Sequence, residues 1–385
     1  MSDIEQPVVA HWVSEYLRLT ETFIYQYLTH LREFRPIVLT GRINQNMHLF
    51  PVSGLFCISD HWRRYSWQWM VSVMRLLTTG ELPDEHILKQ NDAQLIHAHF
   101  GPVGFHALRC KRKLGIPLVT SFYGWDMSTL ADQSVWQRNY QELFSDGDMF
   151  LIEGEYMRTR LIEMGAPAEK VFLQHISIDL NDFEFSPRFL PSKGPIVLLQ
   201  CGRFIEKKGI SYAIKAFALL IDEHPRLQLR IIGDGQLRPQ IERLTQELGL
   251  EKSVKLLGYL PYKNYSEELR RAHILLCPSV TASDGDSEGG APTVLLEAQA
   301  SGLPIVATRH ADIPYVTRDG HSAFLVPEHD AIALADRLQY LIKHPEDWEE
   351  MGNAGRSWVA DRHDITVQAK CLENKYKKLL ANITT

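Results

Sequence analysis

Short runs of aliphatic and β-branched residues recur along this chain, and their rhythm leaves few architectures open. In the first half they fall at residues 7–13, 36–40, 95–99, 117–122, 149–153 and 171–176. In the second half they fall at 195–201, 227–232, 254–257, 274–277, 304–307 and 323–326. Most are apolar throughout rather than alternating, which suits strands buried on both faces of a parallel sheet. Helical periods lie between them, for example at 210–221 and 238–248. Alternation of this kind predicts doubly wound α/β structure, and the number of runs predicts two such sheets. A chain of 385 residues is long enough for two cores. The stretch 181–194 has two prolines and no period, as expected of a linker. The expected domains are therefore 1–187 and 188–364. A last helix, about 365–380, follows the final strand and could pack on either domain.

Charge and cysteine content exclude several classes of function. The net charge of −6 argues against nucleic acid as the main partner, because phosphate-backbone binding needs a basic footprint. The five cysteines stand far apart and form no C-x-x-C pair, so neither a zinc site nor a disulfide framework is signalled. The N-terminus lacks the basic start and apolar run of a signal peptide, and no apolar run reaches transmembrane length. A cytoplasmic protein is expected.

Function is written most densely between Asp284 and Thr308. A glycine-rich loop, Asp284-Gly-Asp-Ser-Glu288-Gly-Gly290-Ala291-Pro292, runs into an apolar helix start at Thr293. A helix N-terminus offers unpaired backbone N–H groups and a positive dipole end. Glycines before it let a ligand approach the backbone. Glu288 and Glu297 flank the turn and can only accept hydrogen bonds when ionised. Such a loop suits a ligand with both phosphate and hydroxyls, as in a nucleotide sugar. Earlier in the same half, Gly202-Arg203-Phe-Ile-Glu-Lys207-Lys208-Gly209 follows a strand, where Arg203 can fork two donors onto a diphosphate and Lys208 adds a cation. Lys207 reads as exposed. Gly233-Asp234-Gly235 and Gly258-Tyr259 end two further strands. No Gly-x-Gly-x-x-Gly follows the first strand, which disfavours a dinucleotide-dependent oxidoreductase.

These motifs, in this order and with Gly302-Leu-Pro-Ile-Val-Ala-Thr308, resemble the donor-binding domain of retaining GT-B glycosyltransferases, glycosyltransferase family 4. The first half adds Leu19-Thr-Glu-Thr22-Phe-Ile24, Ile96-His97-Ala-His99-Phe-Gly101 and Glu155-Tyr156. These are similar to the bacterial exopolysaccharide branch, including colanic-acid-type transferases. The resemblance implies two Rossmann-like domains facing across a cleft, with the final helix, 365–385, returning to the first domain. It implies a hexosyl transfer from a nucleoside diphosphate sugar, foremost a UDP-sugar, to a glycan or lipid-linked saccharide, with no cofactor and no metal.

The resemblance also distributes roles. Arg203 and Lys208 hold the diphosphate, Glu288 meets the transferred sugar, and Glu297 accepts from the ribose. Gly202, Gly233, Tyr259 and the stretch Gly290, Ala291, Pro292 and Thr293 complete the donor site. The loop at residues 20–22, with Thr22, closes over the diphosphate. In the first domain His99, Tyr123, Asp126 and Glu153 are candidates for the acceptor side, with Asp126 either orienting the acceptor or holding its loop.

Two departures stand out. The family usually spaces its glutamates eight positions apart, whereas Glu288 and Glu297 are nine apart, so the glycines at 289 and 290 are expected to bulge. Tyr123 occupies the place where the family often has a histidine. With a pKa near ~10 it is a donor rather than a base at neutral pH.

Three other signals carry less. Asp284-Gly-Asp286 and Asp146-Gly-Asp148 spell Asp-x-Asp, but the cations at 203 and 208 already serve a diphosphate. His97 and His99 share one strand face without an evident third metal ligand. Residues 61–77 have helical periodicity, with Trp62, Tyr65, Trp69, Val73 and Leu76 on one face and Arg64, Gln68 and Arg75 opposite. With Arg109, Lys111, Arg112 and Lys113 this suggests a peripheral membrane contact, although a core helix with a solvated rim is the preferred reading.

Overall fold

The computed structural model describes residues 6–18, 21–44, 46–61 and 66–383. The expectations on Leu19, Thr20, Trp62, Arg64 and Tyr65 lie outside the described residues. The chain divides into two units, Met1–Ser177 with Ile365–Thr385, and Ile178–Asp364.

The first unit holds seven strands: β1 (Val8–Glu15), β2 (Arg35–Arg42), β3 (Leu55–Cys57), β4 (Ala93–His99), β5 (Leu118–Ser121), β6 (Met149–Ile152) and β7 (Val171–Leu173). Their order is β3-β2-β1-β4-β5-β6-β7, and every pair is parallel. The second unit holds β8 (Ile196–Cys201), β9 (Leu227–Ile232), β10 (Val254–Gly258), β11 (Ile274–Cys277), β12 (Ile305–Thr308) and β13 (Ala323–Val326). Their order is β10-β9-β8-β11-β12-β13, again parallel throughout. In each sheet the order reverses once, between β1 and β4 and between β8 and β11. Such switch points open a crevice beyond the carboxyl ends of the strands.

The central strands β1, β5, β6, β8, β11 and β12 are buried along almost their whole length because both faces are covered. In β1 the period of two sends Val8, Ala10 and Trp12 into one core and Val9 into another. The second of these cores is closed by the final helix, Ile365–Ile383, through Ile365, Ala369, Leu372 and Tyr376 against Leu95, Val119 and Leu151. Burial of each such side chain contributes about 1.5–3 kcal/mol. The last segment of the chain is thus part of the first unit.

Three expectations need correction. The boundary lies at Ile178 rather than 188, because the proline-rich segment is tied to the second unit by hydrogen bonds. Ile178 N–H donates to His363 O (2.9 Å), Arg356 Nη1 to Phe183 O (3.1 Å), and Arg188 Nε to Ala272 O (2.8 Å). Strand β3 was not foreseen. It is three residues long, and two of them are only partly buried.

The third correction concerns residues 61–77. The described part is a helix, Trp67–Thr79, with a Ser66 side-chain cap on Trp69 N–H and a left-handed Gly80 at its end. Its one buried residue is Ser72, and Trp67, Met70, Met74 and Leu77 are exposed. The solvent face is apolar, so this is not a core helix with a polar rim.

Candidate active site

In the second unit the crevice at the β8/β11 switch point collects charge. Strand β8 ends at Cys201, and Gly202 turns the chain into the segment carrying Arg203 and Lys208. Gly233, just past β9, has φ +130°, and a Cβ there would sit 1.9 Å from Gly202 O. Only glycine lets these two turns touch. Arg203 is exposed and makes no ion pair among the described residues. Lys208 Nζ reaches Glu288 Oε2 at 2.8 Å, and Ser279 Oγ, just past β11, donates to Glu288 Oε1 at 2.7 Å. Burial opposes the charge on Glu288, but Lys208 and Lys207 outweigh it and hold the carboxyl below its usual range.

The loop between β11 and the next helix is clamped along its length. Glu206 accepts from Ser283 N–H (3.0 Å) and Ser283 Oγ (2.7 Å). Lys207 Nζ donates to Asp286 Oδ1 (3.0 Å) and Ser287 O (2.7 Å). Lys207 is therefore buried, 5% exposed, and not the solvated cation expected. A buried ammonium needs such partners to offset its lost hydration. The loop opens onto helix Thr293–Ala300, with Pro292, which makes no side-chain cap bond, at the cap position. The first turn of such a helix presents unpaired N–H groups and the favourable dipole end to an anion. Ala291 and Thr293 are partly exposed there, and Gly290 is buried. One turn along, Glu297 accepts from the Tyr265 hydroxyl. Burial pushes its pKa up to about 7 against that bond. Tyr259, largely exposed, donates to Asp234 O at 3.0 Å and lies over the β9 turn.

In the first unit the β1/β4 switch point collects uncharged groups instead. His11 on β1 stands beside His97 on β4, and His99 follows on the same face. His11 Nδ1 and His99 Nε2 are 3.0 Å apart, and His99 Nδ1 is 2.8 Å from the Tyr123 hydroxyl. His97 bonds Ser121 Oγ (2.7 Å) and the Tyr376 hydroxyl (2.5 Å). Burial lowers the pKa of all three imidazoles, that of His11 to about 3, so they are neutral. His11 Nε2 is buried without a hydrogen-bond partner. A proton there would be an orphaned N–H, the rarer kind of unsatisfied group. That assigns the proton to Nδ1, which donates to His99 Nε2; His99 Nδ1–H then donates to the Tyr123 oxygen. The tautomer follows from the network. Ser121, which bonds His97, also hydrogen-bonds the Tyr123 hydroxyl.

His11 is the third imidazole that the sequence did not reveal. The three side chains offer ring nitrogens within 4.8 Å of one another. Both nitrogens of His97 and of His99 are engaged by protein groups, however, and the His11 and His99 rings meet at 18° with centroids 5.2 Å apart, the arrangement of an end-on hydrogen bond.

A small pocket lies over these groups. It is lined by Phe23, Tyr27, His97, Tyr123, Glu153 and Gln174, among others. Glu153 is buried at the pocket wall, and His99, bonded to the Tyr123 hydroxyl, is not among the lining residues. Thr22 opens helix Thr22–His30. Asp126 is fully buried and accepts from Gly101 N–H (2.9 Å), Tyr123 N–H (3.0 Å) and Gly124 N–H (3.0 Å). Burial nevertheless raises its pKa to about 6. Asp126, 0% exposed, holds the loop that presents Tyr123.

Comparison with known proteins settles the family. Residues 20–182 match the family described as Glycosyltransferase Family 4, and residues 182–358 match Glycosyl transferases group 1. The chain is of the family 4, group 1 type of GT-B glycosyltransferases. It is 36% identical to the putative colanic acid biosynthesis glycosyltransferase WcaL of Escherichia coli K12, over 64% of this chain and 61% of that one. It is also 36% identical to the amylovoran biosynthesis glycosyltransferase AmsK of Erwinia amylovora, over 69% of this chain and 66% of that one. The chain thus spans between three fifths and two thirds of the length of these curated relatives. Its fold matches that of Anabaena Alr3699/HepE in complex with UDP, with a TM-score of 0.78, 17% identity, and coverage of 97% of this chain and 100% of that one. Sucrose-phosphate synthase from Thermosynechococcus elongatus gives a TM-score of 0.77 at 17% identity, covering 98% and 100%.

Within this family frame the structure brings Gly202, Arg203, Lys208, Gly233, Glu288 and the start of helix Thr293–Ala300 to one switch point. The sequence reading missed Lys207, Ser279, Tyr265, His310 and Glu328. Four of these have a signal in hindsight. Ser279, His310 and Glu328 each stand two residues past the end of a parallel strand, and Lys207 belongs to the turn after β8. Polar groups in those places converge on the crevice by topology alone.

Proposed function

We propose that this chain is a retaining glycosyltransferase that moves a hexose from a UDP-sugar to a hydroxyl of a glycan or lipid-linked saccharide in exopolysaccharide synthesis. One observation carries the reading: Arg203, without an ion pair among the described residues, a Lys208–Glu288 pair and the start of helix Thr293–Ala300 meet at one switch point. The cations and amides suit a diphosphate, and Glu297 suits ribose hydroxyls. Arg203 and Lys208 would stabilise the charge that grows on the leaving diphosphate as the glycosidic bond breaks. Binding would require Lys208 to share its proton donors between phosphate and Glu288, which brings the carboxylate beside the sugar. The leaving phosphate, on the same sugar face as the incoming hydroxyl, would take the acceptor proton, so no protein nucleophile is needed. The Tyr123 hydroxyl would donate to a substrate oxygen from the first unit. The UDP named with the HepE structure supports the choice of base.

No helix among the described residues is long and apolar enough to cross a membrane. The exposed Trp67, Met70, Met74 and Leu77 suit a peripheral contact with the bilayer on which a lipid-linked acceptor would lie. Co-sedimentation with anionic liposomes that weakens with salt is expected, and no binding at low salt would exclude the contact. The transfer itself is tested by incubating UDP-sugars with and without saccharide acceptors. Release of UDP coupled to an α-linked product from an α-linked donor is expected. Epimerised donor, or turnover only with free phosphate, would replace the reading with an epimerase or a phosphorylase.

A further inference from the structure

The loop carrying Glu288 is a poor candidate for rigidity on sequence grounds. It contains three glycines and one more residue than the family's usual spacing, and Gly285 and Gly289 both have positive φ (+83° and +75°). Yet its critical carboxylate is fixed. One anchor is the 206–208 turn described above. The other comes from the far side of the crevice. His310, two residues past β12 and 2% exposed, accepts from Glu288 N–H through Nε2 at 3.0 Å. Its Nδ1 lies 2.8 Å from Glu328 Oε1. Glu328, two residues past β13, accepts from Thr281 N–H through Oε2 at 2.6 Å.

The chemistry of this chain of bonds has a single solution. A backbone N–H can only donate, so Nε2 of His310 must be bare. The ring proton is then on Nδ1, and only an acceptor can receive it, which the Glu328 carboxylate is. Glu328 therefore does two things at once. It grips the entry of the loop at Thr281, and through the imidazole it grips the backbone at Glu288. Asp312 N–H adds a weaker contact to Gly290 O (3.3 Å) from the same segment. The inserted residue is absorbed between these grips.

We propose that His310, oriented by Glu328, is a positioning residue that sets the reach of Glu288 toward the transferred sugar. It acts through the backbone and touches no substrate. The inference rests on the transferase reading for its kinetic consequence, but not for its structural one. Without the imidazole, Glu288 keeps its bonds to Lys208 and Ser279 only until a diphosphate competes for Lys208. The sugar contact then loosens, which lowers kcat while leaving nucleotide affinity almost intact.

The test uses the full chain as wild type, His310→Ala, His310→Gln and Glu328→Gln. Amide hydrogen exchange of residues 281–290 is measured without ligand, and kcat and donor KM are measured with the UDP-sugar that wild type accepts. His310→Ala should speed exchange at Glu288 by about tenfold or more and cut kcat by about ten- to a hundredfold, with donor KM within about twofold. His310→Gln keeps an acceptor near Nε2 and should recover much of both. Glu328→Gln should behave like His310→Ala, because an amide cannot accept from both Nδ1–H and Thr281 N–H on separate oxygens. Unchanged exchange at Glu288 in His310→Ala would overturn the proposal, as would kcat equal to wild type or no recovery by glutamine. If wild type turns over no UDP-sugar, the transferase reading fails separately, and the exchange result alone decides the clamp.

Discussion

The two switch points are built on the same topology and filled with opposite chemistry. At β8/β11 the groups are ionic: Arg203 without an ion pair among the described residues, Lys208 paired with Glu288, Lys207 with Asp286. At β1/β4 they are neutral: three imidazoles, two tyrosine hydroxyls and a serine in hydrogen-bonded chains. A sheet whose strand ends hold unspent positive charge is prepared for an anion. One whose strand ends hold neutral imidazoles and hydroxyls bonded to one another is prepared for hydroxyls, at little desolvation cost. The difference teaches that the fold sets where each ligand binds, while the residues just past each strand set which ligand.

The largest expected break in this contrast is Arg203→Ala. It should weaken nucleoside diphosphate binding and cut turnover by about a hundredfold or more, because Lys207 and Lys208 are already paired with Asp286 and Glu288. Calorimetry and a UDP-release assay check both. Next comes Glu288→Ala, expected to lower kcat by about a hundredfold but nucleotide affinity only severalfold. An equal loss in both would mean that Glu288 serves the nucleotide instead. Asp126→Ala should act through stability. Three buried backbone N–H groups lose their acceptor, a loss of about 3 kcal/mol or more in the first unit. Nucleotide affinity of the protein that remains folded should not change.

A smaller effect is expected from pH. The Glu297 carboxyl, raised to about 7 in the folded chain from 4.5, binds its proton more tightly folded than unfolded. Its contribution is therefore complete below the unfolded value and declines as pH rises through about 7, by on the order of 3 kcal/mol. Glu297→Gln should flatten the fall in melting temperature between pH 5 and pH 8. A steeper fall would reverse the sign. The smallest effect is expected from EDTA, which should leave turnover unchanged; loss of activity restored by Mg²⁺ or Mn²⁺ would bring a cation into the donor site.

Much of the architecture was legible because parallel strands buried on both faces announce themselves as unbroken apolar runs. The run at 196–201 and the one at 274–277 needed no partner information to be recognised. Strand β3 escaped because an edge strand of three residues, half open to solvent, has no run to show. The site was legible where one segment carries its own chemistry, as with Arg203 and the loop from Asp284 to Thr293. It was illegible where the chemistry depends on distant partners. Lys207 reads as a solvated charge until Asp286 and Ser287 arrive beside it. His11 and His310 look like isolated histidines until adjacent strands bring in His99, and Glu328 and Glu288. Asp126 sits in a motif that reads equally as acceptor contact or loop anchor, and only its three backbone donors decide.

The contrast between a charged and a neutral switch point is tested most directly by calorimetric titration of UDP, GDP, ADP and NAD into wild type and Arg203→Ala. The account predicts micromolar binding of UDP by wild type, lost in the variant, and none of NAD. Binding of NAD alone, or nucleotide binding indifferent to Arg203, would contradict it.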